Sequence, residues 1–391
     1  MNIAKRSIKL KNESAFEVLS KVNELKNKGI DVINLGIGQP DFIPPVNVIK
    51  AGIKALNDEN HGYRNAMGIL ELREAIVKEI YRDYNQTVNK SNILITPGAK
   101  AAIYITIQMI VEKNSEVIIP DPGFPIYRSA ILSSGAKPVY YKLREEKFFS
   151  LDPFEILKKV NKNTKLIIIN SPSNPTGSII PFNDLKILFD GLKEYPNIFI
   201  LSDEIYSKLI FNKNKFTSLL EFPELNDRLI LVNGLSKSFA MTGWRIGWGI
   251  FPNKLKKYAE KFSTNIFSCV NFSSQMAAIE ALNGPQEIVK KMNSIYKKRS
   301  KIMTDGINKI NGFSCIMPQG AFYCFANIKN TGFSSLKLQE KILEEAGVAI
   351  IAGSSFGQYS KNFIRLSCAA KENDIKKALV RIKNWGAINI D

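Results

Sequence analysis

Through the middle of the chain, short apolar runs alternate with stretches of helical periodicity. The runs are Asn92–Ile95, Glu116–Pro120, Lys165–Asn170, Ile198–Ser202 and Arg228–Val232. Each is short, rich in Ile, Val and Leu, and bounded by turn-forming residues, which predicts buried strands. Between them, Ala99–Glu112 and Pro181–Lys193 repeat apolar positions at helical spacing. Strands that alternate with helices predict a mostly parallel α/β sheet. The ends of the chain differ. Ser14–Lys28 reads as an amphipathic helix feeding the run Val32–Gly36. After residue 285 a long charged helix (Pro285–Ile310) precedes short strands at Cys315, Phe322–Phe325, Val348–Ile351 and Phe363–Ser367. This pattern predicts a large central α/β domain over 46–285 and a smaller α+β domain built from 1–45 and 286–391.

Five unusual segments each follow one of the central runs: Thr96–Lys100, Asp121–Tyr127, Asn170–Gly177, Asp203–Tyr206 and Ser236-Lys237. In open parallel sheets ligands bind beyond the carboxyl ends of the strands. Five polar or glycine-proline segments on that one edge predict a single site.

Composition narrows the chemistry. A chain of 391 residues with 45% hydrophobic content supports two packed domains. No apolar run reaches the ~20 residues of a membrane helix, and the charged N-terminal stretch has no signal-peptide core, so cytoplasmic residence is expected. The four cysteines have no CxxC or zinc spacing, and the single histidine, His61, excludes a multi-histidine metal site. No metal is expected, and lysine becomes the candidate base. The net charge of +18 raises nucleic-acid binding. The lysines are spread along the whole chain among Glu and Asp, which reads as a solvated surface that attracts anionic small molecules. Neither nucleic acid nor membrane is expected as a partner.

Candidate chemistry centres on Lys237, in the run Asn233–Gly247 directly after Leu229–Val232. An amine near apolar surroundings loses ionisation energy and becomes a nucleophile. Arg245 offers a planar cation suited to phosphate. A surface lysine and a structural arginine is the other reading of the same run. Gly98–Lys100 opens a helix, whose free N–H groups can hold phosphate. Phe124 is either core or a stacking face. Asn174 sits on a proline turn that is a candidate for a cis peptide. Asp203 ends a buried strand and is costly there unless it meets a cation; capping the next helix is the alternative. Tyr206 falls on the same side of that turn. Tyr63 precedes a turn glycine and a helix. Arg365, between Ile364 and Leu366, needs a fixed anion, either internal or from substrate.

In their order and spacing, from Gly36–Phe42 to Phe363–Ala369, these segments resemble the class I aminotransferases, the fold type I pyridoxal phosphate enzymes. The resemblance runs nearly end to end. It implies a mostly parallel seven-stranded sheet between helices and pyridoxal 5'-phosphate as cofactor. It further implies that Lys237 binds the cofactor covalently and Asp203 pairs with the ring nitrogen. Tyr206 and Asn174 would bond its phenolic oxygen, and Phe124 would stack on the ring. Gly98, Ala99, Lys100, Ser236 and Arg245 would surround the phosphate, reached by Tyr63 from the neighbouring subunit of a homodimer. Arg365 and Asn174, with the backbone at Gly38, would grip the substrate's α-carboxylate. The segments Pro318–Phe325 and Ala352–Gly357 are similar to parts of the small domain near the substrate.

Two positions depart from the family pattern. Gly234 stands where many relatives have a phosphate-binding serine, and Phe124 stands where Trp or Tyr is frequent. The resemblance implies amino transfer from an amino acid to a 2-oxo acid in a ping-pong sequence. A C–S β-lyase reaction on the same cofactor residues is the alternative. A non-catalytic regulator is a further reading; such proteins carry an added N-terminal DNA-binding module, for which the helix at Ser14 leaves no room. Thr264–Phe272, a stretch in a position to contribute across a dimer, has no basic residue, which argues against strong aspartate or glutamate preference. Aromatic, branched and small neutral substrates stay open.

Overall fold

The protein is described by a computed structural model covering residues 12–58, 61–211 and 216–390, with residues 3, 4, 7 and 10 before them. In chain order the strands are β1 (Ile33–Asn34), β2 (Ile93–Thr96), β3 (Glu116–Asp121), β4 (Lys137–Lys142), β5 (Thr164–Asn170), β6 (Phe199–Asp203), β7 (Leu229–Gly234), β8 (Gly247–Ile250), β9 (Ser314–Cys315), β10 (Tyr323–Asn327), β11 (Val348–Ala349), β12 (Ile351–Ala352) and β13 (Phe363–Ser367). The large sheet has seven strands in the order β2-β8-β7-β6-β5-β3-β4. Neighbours pair in parallel except around β8, which is antiparallel to both β2 and β7. All strands but β8 therefore end on the same edge.

The apolar runs follow from two-sided burial. In β5, Leu166 and Ile168 enter one core, while Ile167 and Ile169 enter the core on the other face. Successive side chains of a strand point to opposite faces, so a strand covered on both sides must be apolar throughout. Helices Ala99–Ile110 and Phe182–Gly191 supply part of that cover, close to their predicted spans.

Two strands of this sheet escape the apolar pattern. β4 is an edge strand with lysines at both ends and Pro138 inside. β8 reads Gly-Trp-Gly-Ile, too rich in glycine to look like a strand. The predicted run Val348–Ile351 also divides. Its first half, β11, pairs in parallel with β1, and its second half, β12, joins the four-stranded sheet β12-β13-β10-β9. Chain start and chain end thus share backbone pairing. Ser367 N–H extends this link by donating to the Leu35 carbonyl at 2.7 Å. The long charged helix spans Glu287–Ile307 and lies against the C-terminal helix Glu372–Asn389. Among the described residues no helix is long and apolar enough to cross a membrane.

Candidate active site

A cavity of about 530 Å³ opens beyond the carboxyl edge of the large sheet, within the size range of small-molecule sites. Residues from all five polar segments line it, four of them contributing Ala99 and Lys100, Phe124, Asn170 and Asn174, and Asp203 and Tyr206. The fifth, after β7, contributes Ser236 and Lys237.

Lys237 is half-buried, and its Nζ donates to the Gly38 carbonyl at 2.7 Å. Burial, and next the Arg365 guanidinium, lower its amine from its ordinary value to about 8. Arg245 and Lys100 act in the same direction and Glu13 opposes them. Deprotonation near neutral pH is what a nucleophilic or basic amine requires.

Asp203 is 3% exposed. Its Oδ2 accepts from the Tyr127 hydroxyl at 2.7 Å, and its Oδ1 accepts from Ile205 N–H at 3.3 Å. Burial pushes its carboxyl up to about 6 against those hydrogen bonds and the Lys237 charge. Asn170 secures the strand end by donating to the Asp203 backbone carbonyl at 3.0 Å.

At one end of the cavity, helix Ala99–Ile110 begins after Gly98 with no side chain capping its first N–H groups. Gly98 has φ +83, and a Cβ there would lie 2.4 Å from Arg245 Nη2. Only glycine lets the helix start come this close to the guanidinium. Arg245 itself is held by the carbonyls of Thr242 and Pro97, at 2.8 and 3.2 Å. Ser236 lines the same cavity.

At the other end stands Arg365, 3% exposed. Its Nη1 donates to Asn174 Oδ1 at 2.9 Å and its Nη2 to the Gly36 carbonyl at 2.6 Å. Its guanidinium lies over the rings of Tyr323 and Phe356, 4.4 and 4.9 Å from their centroids. No acidic side chain pairs with it among the described residues. The Asn174–Pro175 peptide is cis. Tyr206 and Tyr323 share a hydroxyl hydrogen bond of 2.8 Å, and a Cβ on Gly38 would fall 2.1 Å from the Tyr323 hydroxyl.

The outer wall comes from the helix Ser14–Asn27 and the residue before it. Lys100 Nζ meets Glu13 Oε2 at 2.5 Å and lies 5.6 and 5.3 Å from the ring centroids of Phe16 and Phe124. Tyr63 stands apart: it is 88% exposed and does not line this cavity. Sequence reasoning did not single out Tyr127, Asn170, Tyr323 or Glu13. Tyr127 and Asn170 lie in segments already marked by the pattern, but the pairs Tyr127–Asp203 and Tyr206–Tyr323 join residues 76 and 117 positions apart, and no local spacing carries them.

The cavity therefore presents a poised amine, a buried carboxylate met only by neutral donors, an uncapped helix start beside a guanidinium, and an arginine lacking an anion. Comparison with known proteins gives this set a setting. Residues 30–382 match the family described as aminotransferase class I and II. The chain is 38% identical over 383 residues to an aspartate aminotransferase of Pyrococcus horikoshii, covering 97% of this chain and 96% of that protein. It superposes on the crystal structure of an aspartate aminotransferase from Rhizobium meliloti with TM-score 0.94 and 29% identity over the full length of both chains. An alanine aminotransferase from Pyrococcus furiosus matches with TM-score 0.93 and 30% identity over 99% of this chain and 100% of that one.

The chain belongs to the class I and II aminotransferase family. It is an aminotransferase of fold type I, and its cofactor is pyridoxal 5'-phosphate. The residues fit that group. A phosphate suits the uncapped helix start beside Arg245, a protonated ring nitrogen suits a buried carboxylate, and an aldehyde suits an amine titrating near 8.

Proposed function

We propose that this aminotransferase moves the α-amino group of an acidic amino acid, aspartate first, to a 2-oxo acid in a ping-pong sequence. The observation that carries the choice is Lys100. The cavity is lined by the cations Lys100, Lys237, Arg245 and Arg365. In this reading Lys237 is taken by the cofactor, Arg245 by its phosphate and Arg365 by the substrate's α-carboxylate. Lys100 remains, held by Glu13 at the mouth, and a side-chain carboxylate of the substrate can replace Glu13 there. The stretch Thr264–Phe272, without a basic residue, is thus not the wall that decides. Relatives named aspartate aminotransferases support the same choice.

The remaining roles follow the chemistry of each group. When bound, pyridoxal phosphate supplies a carbonyl carbon for the amine and a conjugated ring that takes up the electron pair released at the substrate's α-carbon. Lys237 Nζ would attach the cofactor, be freed when the substrate's amine takes its place on the same carbon, and then accept the α-proton and return it. The Asp203 carboxylate keeps a proton on the ring nitrogen, and Tyr127 orients that carboxylate. Tyr206 and Asn174 bond the phenolic oxygen, and Phe124 packs on the ring. Gly98, Ala99, Ser236, Arg245 and the backbone N–H of Lys100 hold the phosphate. Arg365, Asn174 and the Gly38 backbone hold the α-carboxylate. Tyr63 reaches the phosphate of a second copy in a homodimer; its 88% exposure is the support for that assignment. The division into 1–45, 46–285 and 286–391 and residence in the cytoplasm complete the proposal, the latter resting on four unpaired cysteines.

The test is a panel of amino acids, each scored by the absorbance change of the bound cofactor in a half-reaction. Aspartate and glutamate should react fastest. A faster reaction with phenylalanine or alanine would reassign the substrate.

A further inference from the structure

Outside the cavity, one buried ion pair serves no role yet described. Arg299, on helix Glu287–Ile307, is 7% exposed and donates through Nη1 and Nη2 to Asp41 Oδ1 and Oδ2 at 2.7 and 2.9 Å. Its guanidinium lies 5.4 and 5.9 Å from the ring centroids of Phe42 and Tyr296. Its Nη1 also donates to the Ala369 carbonyl at 3.5 Å, and its Nε is buried without a partner. A largely buried ion pair is weak evidence for stability, whereas its close two-pronged geometry adds positional specificity.

What this pair fixes is the arch Gly36–Asp41. The first foot of the arch is Leu35, whose carbonyl accepts from Ser367 N–H at the end of β13 at 2.7 Å. Asn34 Oδ1 shapes the turn there by accepting from Gly36 and Ile37 N–H at 2.8 and 3.2 Å. The second foot is Asp41, tied through Arg299 to Ala369, two residues beyond Ser367. Between the feet, the Gly36 carbonyl meets Arg365 and the Gly38 carbonyl meets Lys237. Arg365 lies on β13 itself. Both ends of the arch are thus referred to the strand that carries Arg365, and Pro40 stiffens the short stretch between Gly38 and Asp41.

We propose that Asp41 and Arg299 are positioning residues that hold the Gly36–Gly38 backbone in register with Arg365, and so set recognition of the substrate's α-carboxylate without touching it. This rests on the assignment of Arg365 and Gly38 to that carboxylate. Arg299→Lys keeps the charge and loses the fork. Asp41→Asn, nearly isosteric and partly exposed, serves if the lysine variant does not fold.

The experiment compares half-reactions of the cofactor-loaded enzyme with aspartate and with β-alanine, which lacks the α-carboxylate. Cofactor affinity, melting temperature and the separate kcat and KM values are measured alongside. The expected result for Arg299→Lys is a roughly ten- to hundredfold fall in kcat/KM for aspartate, carried mainly by KM, with the β-alanine rate and cofactor affinity within about twofold of the parent. An equal loss for both substrates, an unchanged aspartate KM, or a fall explained by lost cofactor affinity overturns the proposal. Arg365→Gln separates the two layers. If it removes the preference for aspartate over β-alanine while Arg299→Lys and Asp41→Asn keep it, only the positioning role falls. If Arg365→Gln keeps the preference, the underlying assignment falls and takes the positioning role with it.

Discussion

At the scale of single residues, burial moves the titration of Lys237 and Asp203 in opposite directions. The Lys237 amine is lowered to about 8. In the cofactor-free protein its attachment rate to pyridoxal phosphate should rise with pH to a midpoint near 8 rather than near the ordinary ~10.4 of lysine; stopped-flow absorbance reads this directly. Lys237→Ala should reduce turnover by roughly 10²–10⁴-fold and abolish the covalent mass gain seen after borohydride treatment. Asp203 is shifted the other way, up to about 6. A carboxyl raised in the folded state favours folding below its unfolded value of ~3.9 and loses that contribution as pH rises through about 6. Asp203→Asn should therefore melt higher than the parent at pH 7 when both lack cofactor, with the difference vanishing near pH 4. A difference that stays constant across this range would contradict the burial account. Lys100→Met should lower kcat/KM for aspartate by roughly 10–100-fold, the worth of a hydrogen bond to a charged group, and leave alanine nearly unchanged. Much of this was legible because lysine, aspartate and arginine next to apolar strands are conspicuous. Tyr127 and Tyr323 were not, since an aromatic residue in an apolar setting reads as core until its hydroxyl partner is known.

At the scale of elements, the parallel strands were legible for a physical reason: both faces are covered, so the runs are uniformly apolar. Edge strand β4 and antiparallel β8 were hidden because they lack that signature. Lysines flank the first, and Gly247 and Gly249 interrupt the second. The glycines of β8 answer to packing. A Cβ at Gly247 would lie 2.5 Å from the Ala99 nitrogen, so the strand lets the helix start descend onto it. Gly98 meets the same demand from the helix side. Gly98→Ala should strain a backbone at φ +83 and press on Arg245, at a cost of roughly 1–3 kcal/mol. Its signature is a raised dissociation constant for pyridoxal phosphate with kcat at saturating cofactor little changed. The split of Val348–Ile351 between two sheets was also beyond reach, because strand periodicity gives no sign of which partner each half will take.

At the scale of the whole molecule, the chain brings its two ends together beside the large sheet, through β1 with β11 and through Leu35 with Ser367. That closure places Gly38, Arg365 and Tyr323 opposite Asn174, Asp203 and Lys237. A second domain made from both ends stays a proposal; the pairing of β1 with β11 had no signal in the sequence. The assignment of Tyr63 to a neighbouring site belongs to this scale and has a direct test. Tyr63→Ala and Lys237→Ala, each poorly active alone, should regain activity when unfolded together and refolded as mixed dimers, since one of the two sites would then be intact. No recovery would place Tyr63 outside the partner's site. Finally, β8 runs against β7, with Gly234 opposite Gly247. Because of that reversal, Lys237 and Arg245 belong to a single excursion between two paired strands, and on the proposed roles its length sets the span from the amine to the anion anchor. Lengthening it by even one residue would move the two attachment points of one rigid molecule out of step. Variation in what the enzyme accepts is therefore left, on the proposed reading, to groups outside that excursion, Lys100 with its partner Glu13 first among them.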